Sequence, residues 1–549
     1  MNDVVIDLET ERVSVGIVRG RPVTRDAREN DTSVYGAFDA ATGQPVPGRF
    51  DDAPESVIGD AVNAASAAFE QPVDDRVRGE LLARIAVVLR AHRNVIVDRC
   101  RRETGYETSR VEGEFERAAM QLDWFADVTR SGSWRRSDHV AGDQQRQPIP
   151  RPDLRRLDVP VGPVAVFGAC NFPLAISVLG NDLVAAYAGG NPVIVKSHPG
   201  HVGTCELLGR VVVRAIADVG LDAGWFAMIH GRSNHVSEQL VASENIAAVG
   251  FTGSPVGGRA VAAVAAKRDR PIPVFAELGS PNPVFITDAA IENRVEAIAE
   301  GFLGSLRFGN GHMCTKPGVV WITEASMPRF ESELRRRLAD WKPLPMLNGS
   351  IAESFDAGVK RYEDSTEVER IASDDGEVDR MASDDGEAAT IGPWHRGLRL
   401  YRTRFATASR GGWLHDETFG PMSLIVVCPD SDAMLDAAAQ YRGSLTTTIH
   451  LDDSADADFA VRWLNHARRF AGRIIRNGWP TGMEIGWATQ HGGPYPASLD
   501  GRSTSVGFHS ISRFVRPISL QNFDEFETGI VGDTMPTKLT NASSTQSHL

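Results

Sequence analysis

Apolar residues recur at helical spacing through residues 80–105, ELLARIAVVLRAHRNVIVDRCRRETG, and the run ends in glycine. That pattern predicts a helical region with a glycine stop. Prolines and charges then break the pattern over residues 136–162, RSDHVAGDQQRQPIPRPDLRRLDVPVG, which reads as a connecting or edge-strand segment. A regular alternation follows. Short apolar strands are predicted at PVAVFGA (163–169), NPVIVKS (191–197) and IAAVGFTGS (246–254). Helices are predicted between and after them, at CNFPLAISVLGNDLVAAYAGG (170–190), GTCELLGRVVVRAIADVG (203–220) and VGGRAVAAVAAKR (256–268). Strands alternating with helices predict a doubly wound α/β fold with parallel strands, whose ligands bind beyond the strands' carboxyl ends. A second α/β region is expected from about Pro283 to Val506.

Three stretches fall outside this rhythm. Residues 1–33 are polar and aperiodic and are expected to be an extension. VERIASDDGE (368–377) is repeated at once as VDRMASDDGE (378–387), an acidic tandem duplication expected to be a solvated insertion; it lacks the ligand spacing of a calcium loop. The tail beyond about Thr528 is polar and is expected to be disordered.

Composition narrows the class. The 549 residues carry a net charge of -14, with 42% hydrophobic and 24% charged residues, which suits an ordinary globular protein with ample core. The acidic balance argues against nucleic acid or anionic membrane as partners. No window approaches a membrane span, and the acidic start lacks the features of a signal peptide. The five cysteines are odd in number and scattered, a pattern of reduced thiols in a cytoplasm. No CxxC pair suggests zinc, and no metal is expected.

Cys314 sits in the glycine-rich RFGNGHMCTKPG, where a thiol can reach a ligand, and so is a candidate nucleophile. Glu277, closing the apolar strand of PVFAELGS, is a candidate general base whose partial burial would raise its pKa; a strand-end ion pair with an arginine is the alternative. Asn171, in FGACNFPLA, can offer an amide to an oxyanion or cap a helix. Lys196 ends one strand, while Gly253, Ser254, Gly257 and Gly258 form a glycine-rich turn after another, an arrangement suited to phosphate at a helix N-terminus.

With these motifs assembled, the chain resembles the aldehyde dehydrogenase superfamily from about Ser33 to Phe523, through VFGACNFPLA, PVIVKSHPGH, AVGFTGSPVGGR, FAELGSPNPVFI, GNGHMCTKPG and HDETFGPMSLIV. RPDLRRLDVPVG and IIRNGWPTGMEIGWATQHGGPYPASLDGRSTSVG look like the α-ketoglutaric semialdehyde (2,5-dioxopentanoate) dehydrogenase group, which has relatives that oxidise fatty aldehydes with NADP. The resemblance implies a Rossmann-type cofactor domain (34–146 and 160–282), an α/β catalytic domain (283–505) and a small oligomerisation element (147–159 and 506–523), followed by the tail 524–549. It implies Cys314 as nucleophile, Glu277 as base, and Asn171 with the Cys314 N–H as oxyanion hole. Lys196 and Ser254 would hold the adenosine ribose and pyrophosphate, and Glu417 and Phe419 the nicotinamide end. The products would be a carboxylic acid and reduced cofactor, formed by way of a cysteine thioester.

Many NAD-preferring members carry an acid three residues after the lysine; here Pro199 stands there. NADP is therefore favoured over NAD, with His198 and Arg232 as further candidate contacts. An oxo-acid substrate needs a cationic partner, for which Arg155, Arg156 and Arg307 are the candidates. A homodimer or tetramer is expected. His312, Met313 and Lys316 replace the Gln, Phe and Asn usual around the nucleophile, and Cys170 replaces a Ser; His312 is too near in sequence to form a dyad with Cys314. The alternatives are a fatty or other aliphatic aldehyde dehydrogenase, a non-redox thiol esterase or acyltransferase on this scaffold, and a catalytically inactive relative.

Overall fold

The computed structural model describes residues 12–26, 31–338, 341–373 and 392–523. The tail, the start of the chain and most of the acidic duplication lie outside the described residues.

The first sheet shows how alternation builds a two-faced layer. Its parallel core runs Val274–Glu277, Ala248–Thr252, Val164–Phe167, Val193–Lys196 and Phe226–Ile229 in spatial order. Successive strand residues point to opposite faces. Val164, Val166, Val193 and Val195 pack on one side with the helices Asp75–Ala91, Thr108–Ser131 and Val202–Val219. Ala165, Phe167 and Ile194 pack on the other side with Glu55–Phe69, Asn234–Ala242 and Pro255–Ala266. Both faces are covered, so the strands carry few polar residues.

Two sequence expectations need correction here. Residues 13–25 are part of the sheet rather than an outlying extension. Val13–Val18 is wholly buried, pairs antiparallel with Phe226–Ile229, and turns back on Arg21–Arg25. The sheet then continues through Pro45–Phe50 to Tyr35–Phe38. The helix expected over 170–190 occupies only Asn181–Gly189. Pro173 disfavours helical backbone at Phe172, and the Glu114 carboxylate takes the Leu174 and Ala175 N–H groups at 2.8 and 3.0 Å, fixing a turn instead.

The second sheet has seven strands, ordered Glu369–Ser373, Arg399–Arg404, Met422–Cys428, Val319–Thr323, Val284–Ile286, Ser444–His450 and Ala471–Arg476. It is parallel apart from the first pair. The opening of the duplication is thus an edge strand, with Ile371 buried, and not wholly a solvated insertion. A third sheet pairs Leu154–Pro160 antiparallel with Val515–Gln521 and Asp138–Val140. Among the described residues no helix is long and apolar enough to cross a membrane.

Candidate functional site

The carboxyl ends of the first sheet face a cavity of about 740 Å³. Cys170, Asn171, His198, Arg232, Gly253, Ser254, Glu277, Cys314, Glu417 and Phe419 all line it. Lys196 and Gly257 do not line it, although each lies within two or three residues of one that does.

The loop before Cys314 explains its glycines. Gly309, Asn310 and Gly311 are three consecutive left-handed residues, with φ of 58°, 50° and 73°. Glycine takes this conformation without a side-chain penalty, and asparagine tolerates it. At Gly311 a Cβ would lie 2.3 Å from the Gly420 carbonyl carbon, so the crossing of these two loops also requires its absence. Asn310 Nδ2 anchors the loop on Leu344 O at 2.7 Å. Asn282 Nδ2 holds the Cys314 carbonyl at 2.8 Å.

Glu277 ends its strand beside the thiol. Its Oε1 lies 3.0 Å from His491 Nε2, and that same nitrogen is 3.5 Å from Cys314 Sγ. Ser505 Oγ donates to Glu277 Oε2. The site is therefore a Cys–His–Glu cluster. His491 lies in a coil, within the segment IIRNGWPTGMEIGWATQHGGPYPASLDGRSTSVG, but was not itself singled out in the sequence.

The electrostatics differ from expectation at Glu277. Burial pushes its carboxyl up, but the His491 charge and hydrogen bonds from His491, Ser505 and Cys314 outweigh burial and hold it below the ordinary range. Cys314 shifts the other way. Burial, with Glu277 and Glu417 nearby, pushes its thiol well above the usual value of 9.0, so it rests protonated.

Asn171 is buried, and its Nδ2 donates to His312 O at 2.5 Å. No helix starts there, so its amide is not a cap. Arg110, 2.7 Å from Glu114 and 3.4 Å from Asn171 O, braces this turn from below. The His312 ring faces Phe419 at 5.2 Å, with both nitrogens unpartnered, and forms no contact with Cys314 among the described residues.

At the other end of the cavity, Ser254 caps the helix Pro255–Ala266 by accepting from Gly257 N at 3.1 Å. Burial lowers Lys196 to about 8. Burial also drives the His198 ring well below its usual value, and its Nδ1 accepts from Gly200 N at 3.1 Å. Asp52 was also missed in the sequence. It takes the Arg232 and Ser233 N–H groups at 2.6 and 3.2 Å and acts electrostatically on Lys196. Near the thiol, burial raises Glu417 and lowers Lys316, each opposed by the other's charge. A Cβ on Gly279 would fall 2.1 Å from Glu417 Oε2, so that carboxylate fits only against glycine.

The arginines expected to meet substrate lie elsewhere. Arg155 and Arg156 belong to the small third sheet, 3.2 Å from Asp153 and 3.6 Å from Asp158. Arg307 sits over Trp341, 5.7 Å from the ring centre, in a separate depression with Glu300 and Arg337. Instead, Arg117 and Arg473 act electrostatically on Cys314. Arg117 Nη1 donates to Met483 O at 2.6 Å, and Arg473 Nη1 to Gly482 O at 2.9 Å, so both hold the same loop.

A cavity at the carboxyl ends of a parallel sheet, with a thiol, an imidazole and a carboxylate at one end and a glycine-rich helix start at the other, belongs to a nucleotide-dependent oxidoreductase. The chain is a member of the aldehyde dehydrogenase family, whose profile matches residues 28–506. It is 38% identical over 495 residues to alpha-ketoglutaric semialdehyde dehydrogenase 2 of Azospirillum brasilense, covering 89% of this chain and 91% of that protein. It is 36% identical over 490 residues to the alpha-ketoglutaric semialdehyde dehydrogenase of Acinetobacter baylyi, covering 88% and 90%. The fold also matches the crystal structure of lactaldehyde dehydrogenase from Escherichia coli, with a TM-score of 0.76, 18% identity, and 92% and 98% of the two chains covered. The chain is accordingly an enzyme of NAD(P)-dependent aldehyde oxidation.

Proposed function

We propose that the enzyme oxidises 2,5-dioxopentanoate to 2-oxoglutarate through a Cys314 thioester, with NADP used in preference to NAD. Two semialdehyde-oxidising relatives at 36–38% identity over nearly the whole chain support the substrate. The Cys314–His491–Glu277 cluster carries the chemistry.

The residues fit a nicotinamide dinucleotide. The cavity is large enough, the helix start at Ser254 offers N–H groups to a pyrophosphate, and the Gly279 gap seats Glu417 where it can meet a ribose. A bound cofactor would supply the acceptor for a hydride equivalent from the substrate carbon. Every other step belongs to the protein. The Cys314 proton passes to the Glu277 carboxylate, to which the thiol hydrogen-bonds, as sulfur attacks the aldehyde, and the His491 Nε2–H donated to the same carboxylate steadies it. One Asn171 Nδ2 hydrogen is spent on His312 O, and its second is free to receive the oxyanion, together with the Cys314 N–H. Such donors each contribute ~3 kcal/mol to a transition state. Glu277, once that proton has left to solvent, takes a proton from the water that opens the thioester.

Arg117 and Arg473 replace Arg155, Arg156 and Arg307 as the cations for the substrate's carboxylate. Lys196, Arg232 and Pro199 support the NADP reading: they bring two cations and no acid three residues after the lysine, although Asp52 stands beside both cations. The test is a substrate panel. 2,5-Dioxopentanoate should exceed hexanal in kcat/KM by ~10-fold or more, the scale of one charge-assisted contact. Arg117→Met should shrink that preference, and NADP should outperform NAD. Superiority of hexanal would move the enzyme to the aliphatic-aldehyde reading.

A further inference from the structure

We propose that Cys314 Sγ, His491 Nε2 and Glu277 Oε1 form an inhibitory site for a soft divalent cation, for which Zn2+ is the best fit. These three donors lie within 4.8 Å of one another; Cys314 and Glu277 line the cavity, with His491 buried beside them. Around a tetrahedral zinc with sulfur at ~2.3 Å and nitrogen or oxygen at ~2.0 Å, neighbouring ligand atoms stand roughly 3.3–3.6 Å apart. The observed separations are 3.5 Å for Sγ to Nε2 and 3.0 Å for Nε2 to Oε1. These two separations match within a few tenths of an ångström, and the third, from Sγ to the carboxylate, lies within 4.8 Å.

The donor set selects the metal. A thiolate and an imidazole with one carboxylate favour Zn2+ over Mg2+ or Ca2+, which prefer oxygen ligands. Three protein ligands with a fourth position open to the cavity give a reversible site. The His491 ring proton moves to Nδ1, a buried atom with no hydrogen-bond partner among the described residues. Metal-bound histidines usually donate that proton to a neighbouring acceptor. Its lack here predicts moderate affinity, so a chelator should strip the ion. Binding breaks the Cys314 S–H bond, forms an S–Zn bond and releases one proton to solvent, with no change of oxidation state. The thiolate and Glu277 together balance the charge of the ion. Sulfur so engaged cannot attack an aldehyde, and the ion fills the space beside it.

The test uses the full-length protein, stripped by chelator, with Co2+ as the spectroscopic probe and Zn2+ as its competitor. The expected result is one Co2+ per chain, with tetrahedral ligand-field bands and a thiolate-to-cobalt charge-transfer band, both bleached by Zn2+. Zn2+ should also inhibit turnover, with EDTA restoring it and aldehyde protecting against it. Cys314→Ala should abolish the charge-transfer band, with Cys314→Ser as the check should the alanine variant not fold. His491→Gln should weaken Co2+ binding by at least ~10-fold. A cobalt spectrum without the thiolate band, or unchanged affinity in His491→Gln with a wild-type circular dichroism spectrum, would overturn the proposal. The binding readout needs no substrate, so it stands or falls apart from the identity of the aldehyde.

Discussion

Replacing Glu277 by glutamine isolates the step that the geometry makes hardest. Glutamine keeps a hydrogen bond from His491 but cannot accept the thiol proton. A thiol at the ordinary value of 9.0 is ~1% ionised at pH 7, and burial beside Glu277 and Glu417 pushes Cys314 higher still. The native site avoids this limit because the thiol hydrogen-bonds directly to the Glu277 carboxylate, which His491 Nε2 also meets at 3.0 Å. Without the carboxylate, attack draws on the rare free thiolate, so the acylation rate should fall by ~100-fold or more, within the usual range for a lost general base. Two assays read this. Single-turnover formation of reduced nicotinamide reports acylation, and alkylation by iodoacetamide reports thiolate reactivity without cofactor. In the variant both rates should climb with pH, by about tenfold per unit. Acylation and alkylation rates within about threefold of wild type at pH 7 would refute the role of Glu277 as proton acceptor.

Three further outcomes follow from the same structure. His491→Gln should retain a burst of reduced cofactor, since the carboxylate that takes the thiol proton remains; loss of the burst in rapid-mixing experiments would give His491 the proton-accepting role. Glu206 is buried and receives His230 at 2.9 Å and Arg210 at 3.0 Å, so its carboxyl, though pushed up by burial, is held below 4.5 overall. A depressed carboxyl contributes stability above its unfolded pKa and loses it as pH falls through the folded one. Glu206→Gln should therefore cost ~1.5–3 kcal/mol at pH 7 and flatten the acid side of a plot of Tm against pH, whereas an unchanged acid limb would refute the assignment. The strands Val515–Gln521 and Asp138–Val140 are the two edges of the third sheet, and open edges invite pairing. Light scattering at micromolar concentration should show a dimer or tetramer, and a monomer would count against the proposed assembly.

Much of the architecture was legible because it depends on local order. The runs VAVF, VIVK and AVGFT are too apolar to be anything but strands buried on both faces, and the glycines at 190 and 220 end their helices in the left-handed region. Cys314 and Glu277 could be read as candidates because a thiol among glycines, and an acid at the end of an apolar strand, are each chemically out of place. Val13–Val18 was missed although its valines and isoleucine alternate. Its short hairpin gains stability only by pairing with Phe226–Ile229, more than two hundred residues away.

The tertiary structure alone decided the rest. His491 reaches the thiol across 177 residues of sequence, and Arg117 and Arg473, on a helix and a strand far apart in sequence, grip one loop. The direction of the Glu277 shift was set there too. Burial could be anticipated from the strand, but the countervailing imidazole and hydroxyl could not. Periodicity records which side of an element faces the core. Which side chains converge at the strand ends, as Cys314, Glu277 and His491 do, depends on chain crossings that no local pattern encodes.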